Sequence, residues 1–285
     1  MELVRSLIDG LLLGFVYGLA AMGLTLIWGV MNVINLSHGS IIALGMFAVY
    51  FLFTGLGIPP YLAVLLAGML GLLLGILIYY IAVHRVLNAP HLSTLLATYS
   101  VNMIIIGLGT AALSTSPYNV EYTLDSLRLG SQIVIPGTRL VAAVAAVLVT
   151  GLLFLFLQKT RIGWYIRAVT DNRNAAEIVG VPSVRILALS FGLGTLLAAF
   201  SGALIATFFP FTILAGGQYE LKSFVIGVLG GLGNPVGSLF GGLILGAIEG
   251  IVPAFMPTTW TPVLEFALFI LILLVRPSGL FGAKE

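Results

Sequence analysis

Between Leu7 and Val275 the chain is a succession of apolar runs, most of them long enough to cross a bilayer as a helix. A transmembrane helix takes about 20 mainly apolar residues. Leu7–Val30, Ser40–Leu56, Tyr61–Val83, Leu92–Leu113, Leu140–Leu157 and Ile186–Phe209 answer to that description. Two shorter pieces rich in glycine, Phe224–Leu232 and Ser238–Val252, precede a closing run at Val263–Val275. The runs are continuous rather than alternating, which argues against membrane strands. The expected fold is an all-α polytopic transmembrane bundle of about eight spans, with broken or re-entrant helices, forming a single domain over residues 1–285.

Composition excludes the soluble alternatives. Only 8% of the 285 residues are charged and 60% are hydrophobic, whereas a soluble domain carries roughly 25% charged residues. The net charge of +2 comes with no basic stripe interleaved with aromatics, so nucleic acid is not an expected partner. There is no cysteine, and His38, His84 and His91 are scattered, so neither a metal site nor a cofactor is expected. No G-x-x-x-x-G-K-[ST] phosphate loop occurs, so any use of ATP requires another chain. Clustered acids or histidines at one membrane face are absent, which leaves a membrane enzyme without support and no residue as a catalytic candidate. Glu2 and Asp9 offset Arg5, and the apolar stretch runs past the length of a cleavable core, so the first run reads as a retained span.

Basic residues orient the chain. Lys159, Arg161, Arg167, Arg173 and Arg185 fall in one connection, placing residues 159–185 in the cytoplasm. Counting back puts His84–Arg85 inside as well, and Arg276 and Lys284 fit the same side. The loop over residues 114–138 is then external, and the N-terminus faces outward.

Polar breaks interrupt the apolar pattern twice. Asn32–Ser40 sets Asn35, Ser37 and His38 between two runs, with Asn35 or Ser37 available to cap the following helix. Such a segment is either an interfacial turn or a broken helix beside a translocation path, since irregular backbone at membrane depth must be covered by protein or line a cavity. The second break, Gly230–Gly237, has Asn234 as expected N-cap and Pro235 in the first turn. The breaks also share a faint repeat: Trp28-Gly29-Val30 and Gly39-Ser40-Ile41 resemble Ile226-Gly227-Val228 and Gly237-Ser238-Leu239 at the same interval; the span count makes the copies parallel, and one re-entrant element would make them inverted.

Small residues recur every four positions at Gly10, Gly14 and Gly18, and at Gly242, Gly246 and Gly250, which reads as close helix packing. Glu249 and Glu265 lie in apolar runs, where a carboxylate must face the bundle interior, water or a partner. Glu265 is expected near a helix end, and Glu249 is the better candidate for a role. In the cytoplasmic connection, Asp171 or Asn172 can cap a short helix carrying Ala175 and Ala176, ended by Gly180 and Pro182.

The stretches Gly23–Gly29, Asn35–Gly39, Gly163–Gly180, Val228–Gly237 and Arg276–Gly282 together resemble the branched-chain amino acid ABC transporter permeases of the LivH type, nearly end to end. The resemblance implies a permease subunit of an ATP-binding cassette importer in a bacterial or archaeal cytoplasmic membrane, forming the path for branched-chain amino acids. Urea, a short amide or a sugar is the alternative cargo. It also implies cytosolic ATPase subunits, a second homologous permease and an external solute-binding protein as partners, besides membrane lipid. The segment Ala175-Ala176-x-x-x-Gly180 is similar to the coupling-loop signature E-A-A-x-x-x-G, with Asn174 in place of the Glu. Asn174, Ala175, Ala176 and Gly180 are therefore the expected ATPase-docking residues. Asn35, Ser37, His38, Asn234 and Glu249 are the candidates for the path. An ion-coupled secondary transporter is the rival class, which would require paired intramembrane charges.

Overall fold

The computed structural model describes residues 2–129, 133–276 and 278–282. Pro277 and Lys284, used above for the C-terminal motif and for orientation, lie outside them. Eleven α-helices carry the described fold: α1 (Glu2–Met31), α2 (His38–Leu56), α3 (Pro60–Ile78), α4 (His91–Leu113), α5 (Gly137–Lys159), α6 (Arg161–Asp171), α7 (Arg173–Ile178), α8 (Ser183–Ala206), α9 (Gly216–Gly230), α10 (Pro235–Ile251) and α11 (Thr261–Val275). Eight of these helices, some extended by an adjoining turn, are long and apolar enough to cross a membrane. The polytopic all-helical expectation holds for the membrane portion. The loop over residues 114–138 departs from it, because Leu127–Leu129 (β1) and Ile133–Ile135 (β2) pair antiparallel, with Leu127 opposite Ile135. Strands form there because the loop lies outside the apolar runs and its backbone needs partners that no helix supplies.

Two helices make the centre. α1 and α8 are buried along most of their length, whereas α4 and α11 present much of their surface outward. α1 packs against α10 with the chains antiparallel: a Cβ on Gly10 would meet the backbone of Gly246 and Gly250, and one on Gly14 would meet that of Gly242. Both glycine stripes of the sequence thus face each other, and the helix axes approach to backbone contact. α8 uses the same device on three sides. Gly194 meets Gly23 of α1, Gly202 meets Ile42 of α2, and Gly192 meets Leu72 of α3. Thr195 bridges one of these seams by donating to the carbonyl of Gly71 at 2.9 Å.

α1 ends at Met31, and the next residue, Asn32, adopts a left-handed φ of 52° that asparagine tolerates. The chain then turns back into the bundle. His38 Nε2 donates to Ala20 O at 2.9 Å, so α2 starts level with a point eleven residues before the end of α1. At 1.5 Å per helical residue, the segment 32–37 retraces roughly 16 Å of depth. α9 also starts at mid-depth: the rings of Tyr17 and Tyr219 lie 6.0 Å apart, and a Cβ on Gly227 would sit 3.0 Å from the Thr25 methyl, so α9 runs parallel to α1. The amino ends of α2 and α9 touch through Gly39 and Gly216, each of which leaves no room for a Cβ beside the other.

The apolar run at Phe224–Leu232 underestimates α9, which begins at Gly216. Gln218, Glu220 and Lys222 make its first half polar; Gln218 is exposed, and the two charged residues are half-buried on the helix rather than in a loop. The second break is a tight turn rather than a retracing segment. Gly231 N donates to Val228 O and Asn234 N to Gly231 O, and α10 rises at once against α1.

Candidate functional site

The residues singled out for the path fall into three places. Asn35, Ser37 and His38 form one group at the first break. Asn35 Oδ1 accepts from Ser37 N at 3.1 Å and from Ser37 Oγ at 2.6 Å, which closes a turn ahead of α2. Neither side chain caps the helix by the expected bond: Ser37 occupies the N-cap position without accepting from an α2 amide, because its hydroxyl is committed to Asn35. Thr98 of α4 holds the segment from the other side, accepting from Leu36 N and donating to Ile34 O, both at 3.2 Å. His38 is fully buried, with Nδ1 unpartnered.

Beside this turn lies a cleft of about 390 Å³, lined by Leu24, Ile34, Leu36, Tyr99 and Phe224 together with Asn35, Asn102 and Glu220. Glu220 lies against Gly39 in the first turn of α2; its Oε2 is 2.8 Å from where a Cβ on Gly39 would sit. The amino end of α2, which carries partial positive charge, is therefore already occupied by a side-chain carboxylate. Glu220 was not visible as a site residue in the sequence because it precedes the apolar run that marked α9.

Asn234 belongs elsewhere. Its Oδ1 accepts from Val236 N and Gly237 N at 3.1 and 3.2 Å, so it caps α10 as the Asn-Pro pair suggests. Its Nδ2 donates to Phe281 O at 2.9 Å, tying the break to the C-terminal segment. All its bonds serve local architecture, and it is not brought to the first break.

Glu249 forms the third place, with a residue the sequence reading passed over. Lys222 Nζ donates to Glu249 Oε2 at 2.7 Å and stands 3.8 Å from Glu265 Oε1. The ammonium also lies 4.8 Å from the centre of the Tyr17 ring, and Tyr17 OH donates to Glu249 Oε1 at 3.4 Å. Glu265 is only 4% exposed and sits in the second turn of α11. Glu249 therefore has partners within the bundle, one of the placements that an intramembrane carboxylate requires. The cluster borders a second cleft of about 610 Å³, also lined by Arg139 and Gln218. The missed signal was Glu220-x-Lys222 directly ahead of an apolar run that also contains no compensating charge.

The connection over residues 159–185 is built from two helices, α6 and α7. Thr160 caps α6 by accepting from Gly163 N at 3.0 Å, and Asn172 caps α7 by accepting from Ala175 N at 3.0 Å. Gly180, at a φ of 86°, ends α7, and Val181 N closes the turn by donating to Ala176 O. Ala176 packs inward, while Asn174, Ala175 and Gly180 face outward. Ile178 and Val179 are 87% and 78% exposed at the tip. Arg173 Nε pairs with Glu177 Oε1 at 3.1 Å along one flank. Among the described residues no group of three His, Cys, Asp or Glu could hold a metal ion.

The chain is similar to several permeases over most of its length. The high-affinity branched-chain amino acid transport system permease protein LivH of Salmonella typhimurium is 29% identical over 300 residues, covering 99% of this chain and 96% of that protein. The corresponding permease BraD of Pseudomonas aeruginosa is 27% identical, again over 99% and 96%. The ribose import permease RbsC of Bacillus subtilis is 30% identical over 81% of this chain and 72% of its own length. No solved structure matches the chain. Residues 6–273 of the chain match the profile described as branched-chain amino acid transport system / permease component, and the chain belongs to that family.

Proposed function

We propose that this protein is the membrane-spanning permease subunit of an ATP-driven importer for branched-chain amino acids. The match over residues 6–273 carries this reading, because it spans all eight membrane-capable helices almost completely. The chain works in the cytoplasmic membrane as a multi-pass conduit. ATP is hydrolysed on separate cytosolic subunits, a second permease of the same kind completes the membrane portion, and an external binding protein delivers the solute. The chain itself has no catalytic role.

The ATPase docks on α7. A helix of six residues held between two caps, with Ile178 and Val179 exposed at its tip, offers an apolar knob on a basic, cytoplasmic surface. An aqueous apolar knob of this kind is stabilised by burial in a partner, at about 25 cal/mol per Å². α7 joins α6 and α8, and α8 contacts α1, α2 and α3, so a displacement of the knob reaches the centre of the bundle. Residues 159–185 form the coupling connection, with Asn174, Ala175, Ala176 and Gly180 shaping the docking helix.

Ile178→Asp in cells that depend on this importer for leucine tests the assignment. The variant is expected to reach the membrane in normal amount, to lose its co-purifying ATPase, and to abolish leucine uptake. Normal uptake by Ile178→Asp sinks the docking role of α7. Normal leucine uptake in cells lacking the whole chain sinks the transport assignment.

A further inference from the structure

We propose that the 390 Å³ cleft between the first break, α4 and α9 is a subsite for the zwitterionic amino acid in transit, an inference that rests on the function proposed above and names the groups that hold the cargo. Three polar groups from distant parts of the sequence converge there. Asn35 comes from the break, Asn102 from α4 and Glu220 from α9.

Two of them have unused hydrogen-bonding capacity in a buried setting. Asn35 is 1% exposed, and its Oδ1 is engaged by both the amide and the hydroxyl of Ser37, which fixes the orientation of its amide group. Its Nδ2 has no partner. Asn102 is 9% exposed, and its Oδ1 has no partner either. A buried donor or acceptor left unpaired costs about 1–3 kcal/mol. Two such groups lining one cavity, one a donor and one an acceptor, are what a visiting polar molecule requires.

The third group is a carboxyl. Glu220 has no cation within 4.0 Å among the described residues, unlike Glu249 and Glu265, which share Lys222. It is supported by the amino end of α2 at Gly39, which stabilises the carboxylate without consuming it in an ion pair. Glu220 therefore remains open to an ammonium group. The remaining wall is apolar, through Leu24, Ile34, Leu36 and Phe224.

The pattern complements a free amino acid with a hydrocarbon side chain. Its ammonium meets Glu220 and Asn102 Oδ1, its carboxylate accepts from Asn35 Nδ2, and its side chain lies on the Leu, Ile and Phe surface. Neutral urea or a sugar would leave Glu220 facing no positive charge. The cavity is near the small end of the roughly 300–1,000 Å³ range of small-molecule sites, which suits one amino acid rather than a peptide.

Photolabelling tests the site directly. The complete importer in proteoliposomes is loaded with leucine analogue bearing a diazirine on its side chain, irradiated and mapped by peptide mass spectrometry. Label is expected on residues 99–102 and 217–224, and is expected to be chased by leucine but not by 4-methylpentanoate, which lacks the ammonium. Glu220→Gln, nearly isosteric, is expected to cut that label and leucine uptake about tenfold or more, as loss of a charged hydrogen bond does. Label placed elsewhere in this chain, or chased equally by 4-methylpentanoate, overturns the subsite while leaving the permease assignment intact. A wild-type importer that carries no leucine overturns both. Should Glu220→Gln fail to assemble, the map and the chase on the wild-type importer decide the question.

Discussion

Lys222 Nζ lies 2.7 Å from Glu249 Oε2, joining two helices that are linked in sequence only through the Gly-Leu-Gly-Asn turn at 231–234. The same ammonium faces Glu265 at 3.8 Å, so one cation serves α9, α10 and α11. Removing it leaves two carboxylates near one another, one of them almost wholly buried. Loss of one partner from a buried pair typically costs 3–5 kcal/mol; the partial exposure of Lys222 and Glu249 places this case near the lower end. Lys222→Met is expected to destabilise the purified protein by about 3 kcal/mol, seen as a lower thermal midpoint in detergent. Adding Glu265→Gln to that background is expected to recover part of the loss. An unchanged midpoint in Lys222→Met would count against the cluster as a structural tie.

Glycine positions on the same helices are expected to differ sharply in tolerance. A Cβ on Gly246 would enter the backbone of Gly10 and Gly14, and nothing on that seam can move without parting α1 from α10. Gly246→Leu is therefore expected to abolish accumulation of folded protein. Gly151→Ala on α5 meets nothing within 4 Å and is expected to accumulate as wild type. Folded yield by fluorescence-detected gel filtration separates the two, and equal yields would contradict the close α1–α10 contact.

The cap on α7 makes a smaller prediction. Asn172 supplies the acceptor for Ala175 N, and losing such a cap costs about 1 kcal/mol. Asn172→Ala is expected to speed amide exchange across residues 173–178 about fivefold, the factor that 1 kcal/mol represents, while exchange in α8 stays unchanged. Uptake is expected to fall less than in Ile178→Asp, because the apolar tip is preserved. Slow exchange in the variant would show that α7 is held by something other than its cap.

His38 anchors the restarted helix. Its Nε2 donates to Ala20 O, which requires the proton on Nε2 and leaves Nδ1 bare. Nitrogen-15 spectra of a selectively labelled protein are expected to show the Nε2–H tautomer. His38→Ala, which removes that bond and leaves a void, is expected to destabilise the protein by about 2 kcal/mol, combining the lost hydrogen bond with the cavity. The opposite tautomer would mean that α2 is not fastened to α1 through this ring.

Much of the architecture was legible in the residues because lipid imposes a simple rule. Apolar runs of about 20 residues must become helices, since an unpaired backbone amide in hydrocarbon is too costly. Basic residues at 159–185 marked one side, the four-residue glycine periods marked close-packed faces, and Asn172, Gly180 and Asn234 marked ends through their local bonding. Each of these depends on neighbours within a few positions along the chain. Pairings across the bundle had no such signature. The depth at which α2 restarts depends on a bond from His38 back to Ala20, and the charge on Glu249 is answered by Lys222 from a stretch too polar to be read as helix. Asn35, Asn102 and Glu220 meet only because α4 and α9 fold beside the first break. Local chemistry determined which segments are helical and where they stop; only the packing of those helices decided which polar groups satisfy one another and which are left open to a ligand.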